Sequence, residues 1–424
     1  MTIYNALAGS SFTGIRAKIP TASKRRSLML IGDSITWGYG VTQNNTYAKL
    51  LQGHIDTFVG GGINTDEWVA RSVHLDDITG PNAATPTTSR DGVGFKLAAD
   101  GSPTYAQLGS FVGGPTPASA ATSPSPGSTN NISVDISSRG TAIMLDANND
   151  GILVTPSAPT RFLIAMVEVT GTGTDAVEFT AYDSLPQPTA KGPISVRVDQ
   201  SDATLGAGSP VGVHRLIFDW GAGQTAAGFL LRRTGGAAGA NCRILAVNPT
   251  NLYGASNYLH VQVHARGSYR PSDYMNNIAE ISKTIINPTN DTTAPTDPVV
   301  FVLALGTVSM YYNAAPSNTK GDRRQTPTEL VNDLRTLVNN LRAAHPSSPI
   351  IMTHPPVPAA PWILAPQFTR QDYDSAIQST AIRLGCPLID LRGTLVSGDY
   401  GDGLHPNNSG HTNLANAYRA ALRV

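Results

Sequence analysis

Apolar positions along this chain fall into two textures. In the first, short continuous apolar runs alternate with stretches of helical spacing. Leu28-Met29-Leu30-Ile31, preceded by Lys24-Arg25-Arg26, reads as a buried strand, and Tyr47, Leu50, Leu51 and Ile55 within Thr46 to Ile55 recur at the interval of a helix. The same texture resumes at Tyr258. His260 to His264 predicts a strand, and Tyr274, Ile278, Ile281 and Ile285 predict one helix over Ser272 to Ile286. A strand over Val299 to Leu305 follows, and then a helix opened by Thr326-Pro327-Thr328-Glu329, where a capping residue, a proline at the first helical position and a glutamate three on coincide. That helix runs to about Ala344. Strand Pro349 to Thr353, helix Thr369 to Leu384, strand Pro387 to Leu391 and a helix from Ser409 to Leu422 complete the series. Five strands alternating with helices predict an α/β domain with a parallel sheet covered on both faces.

The second texture fills the middle. Short alternating runs at Asn131 to Ile136, Arg161 to Val169, Ile194 to Val198, His214 to Trp220 and Gly228 to Arg232 are separated by turn-rich segments such as Pro115 to Asn131. This pattern predicts an inserted β-sandwich of roughly 180 residues. The expected organisation is therefore a discontinuous domain, residues 1–64 and 255–424, interrupted by a β-rich domain at 65–254. Trp68, Trp220, Tyr182 and several aspartates suit a carbohydrate-stacking platform there, and a scaffold that shapes a cleft is equally compatible.

With 424 residues, 30 basic and 30 acidic side chains, the chain has no net formal charge and no electrostatic footprint for nucleic acid or an anionic membrane. Met1 to Pro20 lacks a continuous apolar core, and no stretch approaches the roughly 18 apolar residues of a membrane span. The expectation is a soluble protein made in the cytoplasm; later release, incorporation into a larger particle and a removed signal segment all stay open, as does the oligomeric state. The two cysteines, Cys242 and Cys386, fall in different predicted domains and read as buried thiols.

Two motifs carry the chemistry. Gly32-Asp33-Ser34-Ile35-Thr36 puts a serine at the carboxyl end of the first strand, where open α/β sheets bind ligands. Asp402-Gly403-Leu404-His405-Pro406 puts a carboxylate three residues before an imidazole, close enough to bond one ring nitrogen while the other faces a nucleophile. Either motif alone is ordinarily a capped turn or a surface pair. Jointly, in this strand order, they resemble the SGNH (GDSL-type) serine hydrolases over residues from about 20 to 60 and about 255 to 424. The resemblance implies a three-layer, flavodoxin-like α/β/α fold and a serine esterase with Ser34, His405 and Asp402 as catalytic residues and no cofactor. It also implies oxyanion donors from the backbone N–H groups of Ser34 and Gly267. Leu305-Gly306-Thr307 matches the family's third block, but Val308 stands where that block usually has asparagine, and valine cannot donate a hydrogen bond. Three explanations stay open: a substitute donor such as Ser309 or Asn313, a weakened site, or a deliberate replacement.

Trp37, Tyr311, Tyr312 and Trp362 follow strands and are candidates for the cleft wall, as are His354 and Arg266, although each also has an ordinary packing reading. His411 opens an apolar helical run and reads as a capping or packing residue. No metal-ligand spacing such as His-Glu-x-x-His occurs, so no metal is expected. The leading functional expectation is removal of short acyl groups, acetyl above all, from a small-molecule or polysaccharide substrate. A lipid or aryl esterase with the same residues, or a glycan-binding protein with a weakened site, are the alternatives.

Overall fold

The computed structural model describes residues 25–38, 41, 45–58, 70–72, 93–95, 143–145, 151–154, 159–170, 177–183, 194–198, 212–226, 229–235, 241–250, 258–265, 269–275, 278–283, 299–313, 324–359, 362–364 and 366–422. The chain divides into two compact units, Met1–Thr65 with Gly254–Val424, and Asp66–Tyr253.

The first unit is built on five parallel strands: β1 (Arg25–Gly32), β2 (Tyr258–Ala265), β3 (Val300–Ala304), β4 (Ile350–His354) and β5 (Leu388–Asp390). Their order across the sheet is β2-β1-β3-β4-β5, the order of flavodoxin-like folds. Leu28, Met29, Leu30 and Ile31 of β1 are all buried, as are Phe301, Val302 and Leu303 of β3. A strand covered on both faces must be apolar at every position, which is why these segments appear in the sequence as unbroken runs.

Helices α1 (Ser34–Trp37), α2 (Tyr47–Phe58), α3 (Pro271–Met275), α4 (Ile278–Lys283), α5 (Thr307–Met310), α6 (Pro327–Ala344), α7 (Arg370–Leu384) and α8 (Asn408–Leu422) complete the unit. From β1 the chain moves to β2 in one direction, and from β2 through β5 in the other. Right-handed crossovers therefore put α2 on one face and α6 and α7 on the opposite one. The contacts agree: α2 packs with α8, and α6 with α3, α4 and α7. Of the helix anticipated over Ser272 to Ile286, α3 and α4 hold the described residues, and residues 276–277 and 284–286 lie outside them. Capping is as the sequence implies. Thr326 accepts a bond from the Glu329 N–H while Glu329 accepts one from the Thr326 N–H at 2.7 Å, and Thr369 and Asp372 do the same for α7. His411 lies fully buried in α8, and its Nδ1 accepts the Tyr47 N–H at 3.1 Å, satisfying a donor at the open end of α2.

The second unit is antiparallel. Phe162–Thr170 pairs with Gly212–Asp219 and with Asn241–Thr250, and the last of these also pairs with Ala70–Ser72 and Ile143–Leu145. A separate sheet runs Val93–Phe95, Gly151–Val154, Phe229–Gly235, Val177–Asp183, Ile194–Val198. The run Asn131 to Ile136, Trp68 and the side chain of Tyr182 lie outside the described residues. Trp220 is buried, at 7% exposure, so it is a packing residue and not a stacking platform. Among the described residues, no helix is long and apolar enough to cross a membrane.

Candidate active site

The sheet order reverses at β1: its successor β2 lies on one side and β3 on the other. Loops leaving the carboxyl ends of β1 and β3 diverge there and open a crevice. The Gly32-Asp33-Ser34 turn leaves β1 at this point. A side chain at Gly32 would collide with Thr36, whose Oγ1 lies 2.0 Å from the position of its Cβ, so only glycine lets the turn close this tightly. Asp33 is the N-cap of α1, its Oδ1 accepting the Ile35 N–H at 3.0 Å. Tyr274 Oη donates to the Gly32 carbonyl oxygen at 2.7 Å and ties α3 to the same turn.

The second motif lies in the loop between β5 and α8. A Cβ on Gly410 would come within 2.4 Å of the Asp399 carbonyl oxygen, so glycine at the start of α8 permits close approach of this loop. Asp399 accepts bonds from the Val396 N–H, Ser409 Oγ and Asn413 Nδ2, which fix the loop base. Its far side is braced by the segment after β4: the Ala359 N–H donates to the Gly403 carbonyl oxygen at 2.7 Å, and Tyr400 Oη to that of Val357 at 2.6 Å.

These two supports bring together groups far apart in sequence. His405 Nε2 lies 2.8 Å from Ser34 Oγ, and His405 Nδ1 lies 2.7 Å from Asp402 Oδ2. Asp402 Oδ1 accepts the N–H groups of Leu404 and His405 at 3.0 and 2.7 Å. Partial burial of Asp402 opposes its ionisation, but the hydrogen bonds and charge of His405 and the two N–H groups outweigh it and hold the carboxyl well below the usual range. An anionic Asp402 fixes the imidazole with Nδ1 protonated, leaving Nε2 able to accept the serine proton.

The other candidates divide. Gly267 and Arg266 lie outside the described residues, as do the side chains of Trp37, Tyr312 and Asn313. Val308, the second residue of α5, is partly exposed and presents only an isopropyl group. Ser309 is fully buried, so it points into the core and is not a substitute donor in the cleft. His354 is also fully buried, with Nδ1 3.3 Å from Asp374 Oδ1. It belongs to the interior and does not line a cleft. Tyr311, at 7% exposure, is held from within by Arg370 Nη1 at 2.8 Å. Trp362 is partly exposed beside the motif, its Nε1 donating to the Asp402 carbonyl oxygen at 3.4 Å.

Sequence reasoning missed the polar cluster beneath these loops. Asp374 takes bonds from Arg370 Nε at 2.7 Å and Arg392 Nη1 at 3.0 Å. Its burial favours the neutral acid, yet His354 and the two guanidinium groups pull its pKa down to about 2. Arg370 Nη2 also holds the Pro355 carbonyl oxygen at 2.7 Å, so one side chain links α7, the α5 end and the brace. Among the described residues no cluster of His, Cys, Asp and Glu is arranged to hold a metal.

Residues 237–412 match the model of the GDSL-like lipase/acylhydrolase family. That stretch lies beyond Ser34, which the second unit separates from the later motifs. By structure the chain is similar to a peptidoglycan O-acetylesterase, at 12% identity over 100% of this chain and 99% of that one, with a TM-score of 0.54. It is also similar to a family two carbohydrate esterase from Cellvibrio japonicus, at 10% identity over 67% of this chain and 92% of the other with a TM-score of 0.27. An acetylxylan esterase from Geobacillus stearothermophilus aligns at 14% identity, over 40% and 74% of the two chains, with a TM-score of 0.30. No curated protein matches the chain by sequence. Residues 237–412, which supply β2 to β5 of the parallel sheet, thus match a GDSL-like lipase/acylhydrolase domain.

Proposed function

We propose that the chain is a carbohydrate O-deacetylase that works through a Ser34-His405-Asp402 triad and an acyl-enzyme. The observation that carries this reading is the unbroken hydrogen-bonded chain from Ser34 Oγ through the His405 ring to Asp402. As Ser34 Oγ attacks the ester carbonyl, its proton passes to His405 Nε2, and Asp402 stabilises the imidazolium that forms. His405 then returns that proton to the leaving sugar hydroxyl, and the acetyl group stays on Ser34. Water, deprotonated by the same nitrogen, hydrolyses the acyl-enzyme and releases acetate. The Ser34 and Gly267 backbone N–H groups are the oxyanion donors in this reading.

The acetyl part is supported by the full-length likeness to a peptidoglycan O-acetylesterase. We read the two antiparallel sheets of the second unit as a β-sandwich that either binds glycan or shapes the cleft, and Trp362, beside Asp402, as part of the sugar-facing wall. The test is acetate release from acetylated glycans, including peptidoglycan and xylan, set against aryl esters of increasing chain length. Preference for octanoyl over acetyl would replace the deacetylase reading by a lipid or aryl esterase. Normal folding with no Ser34 labelling by an organophosphonate would favour a glycan binder.

Val308 yields a second expected result. Removing one oxyanion donor slows an acyl transfer by about 10²–10³, so Val308→Asn, which restores a side-chain N–H, should raise kcat on 4-nitrophenyl acetate by up to that factor. A slower variant would mean that another donor already fills the position.

A further inference from the structure

A small cavity of ≈ 20 Å³ adjoins the nucleophile turn, and its wall includes residues on both sides of Ser34 but not Ser34 itself. Six polar side chains face it: Asp33, Thr36, Tyr47, Thr307, Thr353 and Tyr418. Tyr47 Oη donates to Thr36 Oγ1 at 3.0 Å. Asp33 is 1% exposed; one carboxylate oxygen caps α1, while the other, Oδ2, is buried without a well-formed hydrogen bond, as is Tyr418 Oη, and the Thr307 hydroxyl and Tyr47 Oη act on them only weakly. An ionised oxygen left this way is expensive, whereas a carboxylic acid group has a proton to share and the chamber has room for a bridging water.

Among the described residues, the wall supplies no counter-charge. Tyr47 and Tyr418 are the other titratable groups on the wall, and burial pushes both phenols above their ordinary range. His411 stacks on Tyr47 with ring centroids 6.0 Å apart, and His405 and Asp402 reach Ser34 through its Oγ. Among the described residues, no lysine or arginine lines the chamber. Burial raises the Asp33 pKa to about 7, with the Ile35 N–H and the Thr307 hydroxyl pulling less strongly the other way.

We propose that Asp33 is a positioning residue that works as a neutral acid, its proton held in this chamber so that no negative charge stands beside Ser34 while the oxyanion forms there. The inference rests on Ser34 being the nucleophile. Ionising Asp33 would place two like charges in one buried site, which disfavours the transition state. Asp33→Asn is the natural mimic. Its amide keeps an oxygen for the Ile35 N–H and an N–H where the acid proton sits.

The experiment uses the full chain, wild type, Asp33→Asn and Asp33→Ala, with kcat/KM on 4-nitrophenyl acetate from pH 5.5 to 9 and melting temperatures at pH 4.5 and 8. Wild type should lose about tenfold in kcat/KM through a titration near pH 7 that Asp33→Asn lacks. At pH 6 the Asn variant should stay within about threefold of wild type, and Asp33→Ala should be slower for want of the cap. A folded Asn variant more than 100-fold slower at pH 6, or one whose pH profile superimposes on wild type, overturns the proposal. The melting arm needs no activity, so it separates this inference from the hydrolase reading. A folded pKa above the unfolded 3.8 means stability is present below that value and lost as pH rises towards about 7. Asp33→Asn should therefore gain in melting temperature relative to wild type at pH 8, and by much less at pH 4.5. An equal difference at both pH values also overturns the proposal.

Discussion

Ser34→Ala should abolish acetate release, lowering kcat by roughly 10⁵–10⁶, the order seen when a serine nucleophile is removed from a working triad. The loss is this large because the serine makes and breaks the covalent bond, and no neighbouring group takes its place. Asp33 is committed to capping α1, and Ser309 is buried in the core. What remains after the change is water attack aided by His405 and the oxyanion donors. Folding should be unaffected, since the side chain contributes one part-buried hydrogen bond to His405. Stopped-flow hydrolysis of 4-nitrophenyl acetate checks the loss, since the wild-type burst of nitrophenolate should vanish, and an unchanged melting temperature checks the folding. A variant that keeps a tenth of the rate, or the burst, would place the nucleophile elsewhere.

Asp402→Asn should cost about 10⁴ in kcat at pH 7.5 with little change in KM. The reason is in how Asp402 is held. Its Oδ1 accepts two backbone N–H groups, and its Oδ2 faces His405 Nδ1. An asparagine must keep its oxygen toward the backbone donors, so its NH₂ turns to Nδ1 and makes that nitrogen an acceptor. The ring proton moves to Nε2, which then donates to Ser34 and can no longer take its proton. Asp402 has a lowered folded pKa, so the stability its bonds supply is present above the unfolded value of 3.8 and lost only as pH falls below it. Any acidic limb in activity near neutrality therefore belongs to another group. A variant within tenfold of wild type would show that the carboxylate is dispensable.

The sequence reveals most where local chemistry is self-sufficient. Continuous apolar runs mark β1 and β3, the alternation of His260, Gln262 and His264 with valines marks β2, and the Thr326 and Thr369 caps mark the starts of α6 and α7, because each signal depends on neighbours a few residues away. Facing is harder to read. His354 ends a strand buried on both sides, so no alternation tells an inward histidine from one that reaches a cleft. Ser309 sits in a helix of one turn, too short for a period to show its face. Arg370 and Asp374 lie four apart on α7 and are recognisable as a pair. Their connection to Arg392, His354 and Tyr311 depends on three other elements and appears only once the sheet is assembled. Asp33 looked like an ordinary turn residue because its isolation follows from what the chamber lacks.

The central place of β1 in its sheet has a consequence during synthesis. Its partners are β2 and β3, so the strand carrying the nucleophile turn cannot be paired on both edges until Ala304 has been made. At roughly 5–20 residues per second, the roughly 270 residues between Gly32 and that point keep it waiting for about 15–55 s. Through that interval Leu28 to Ile31 is an apolar segment with at least one open edge on a nascent chain, a natural target for a chaperone and a point from which aggregation can start.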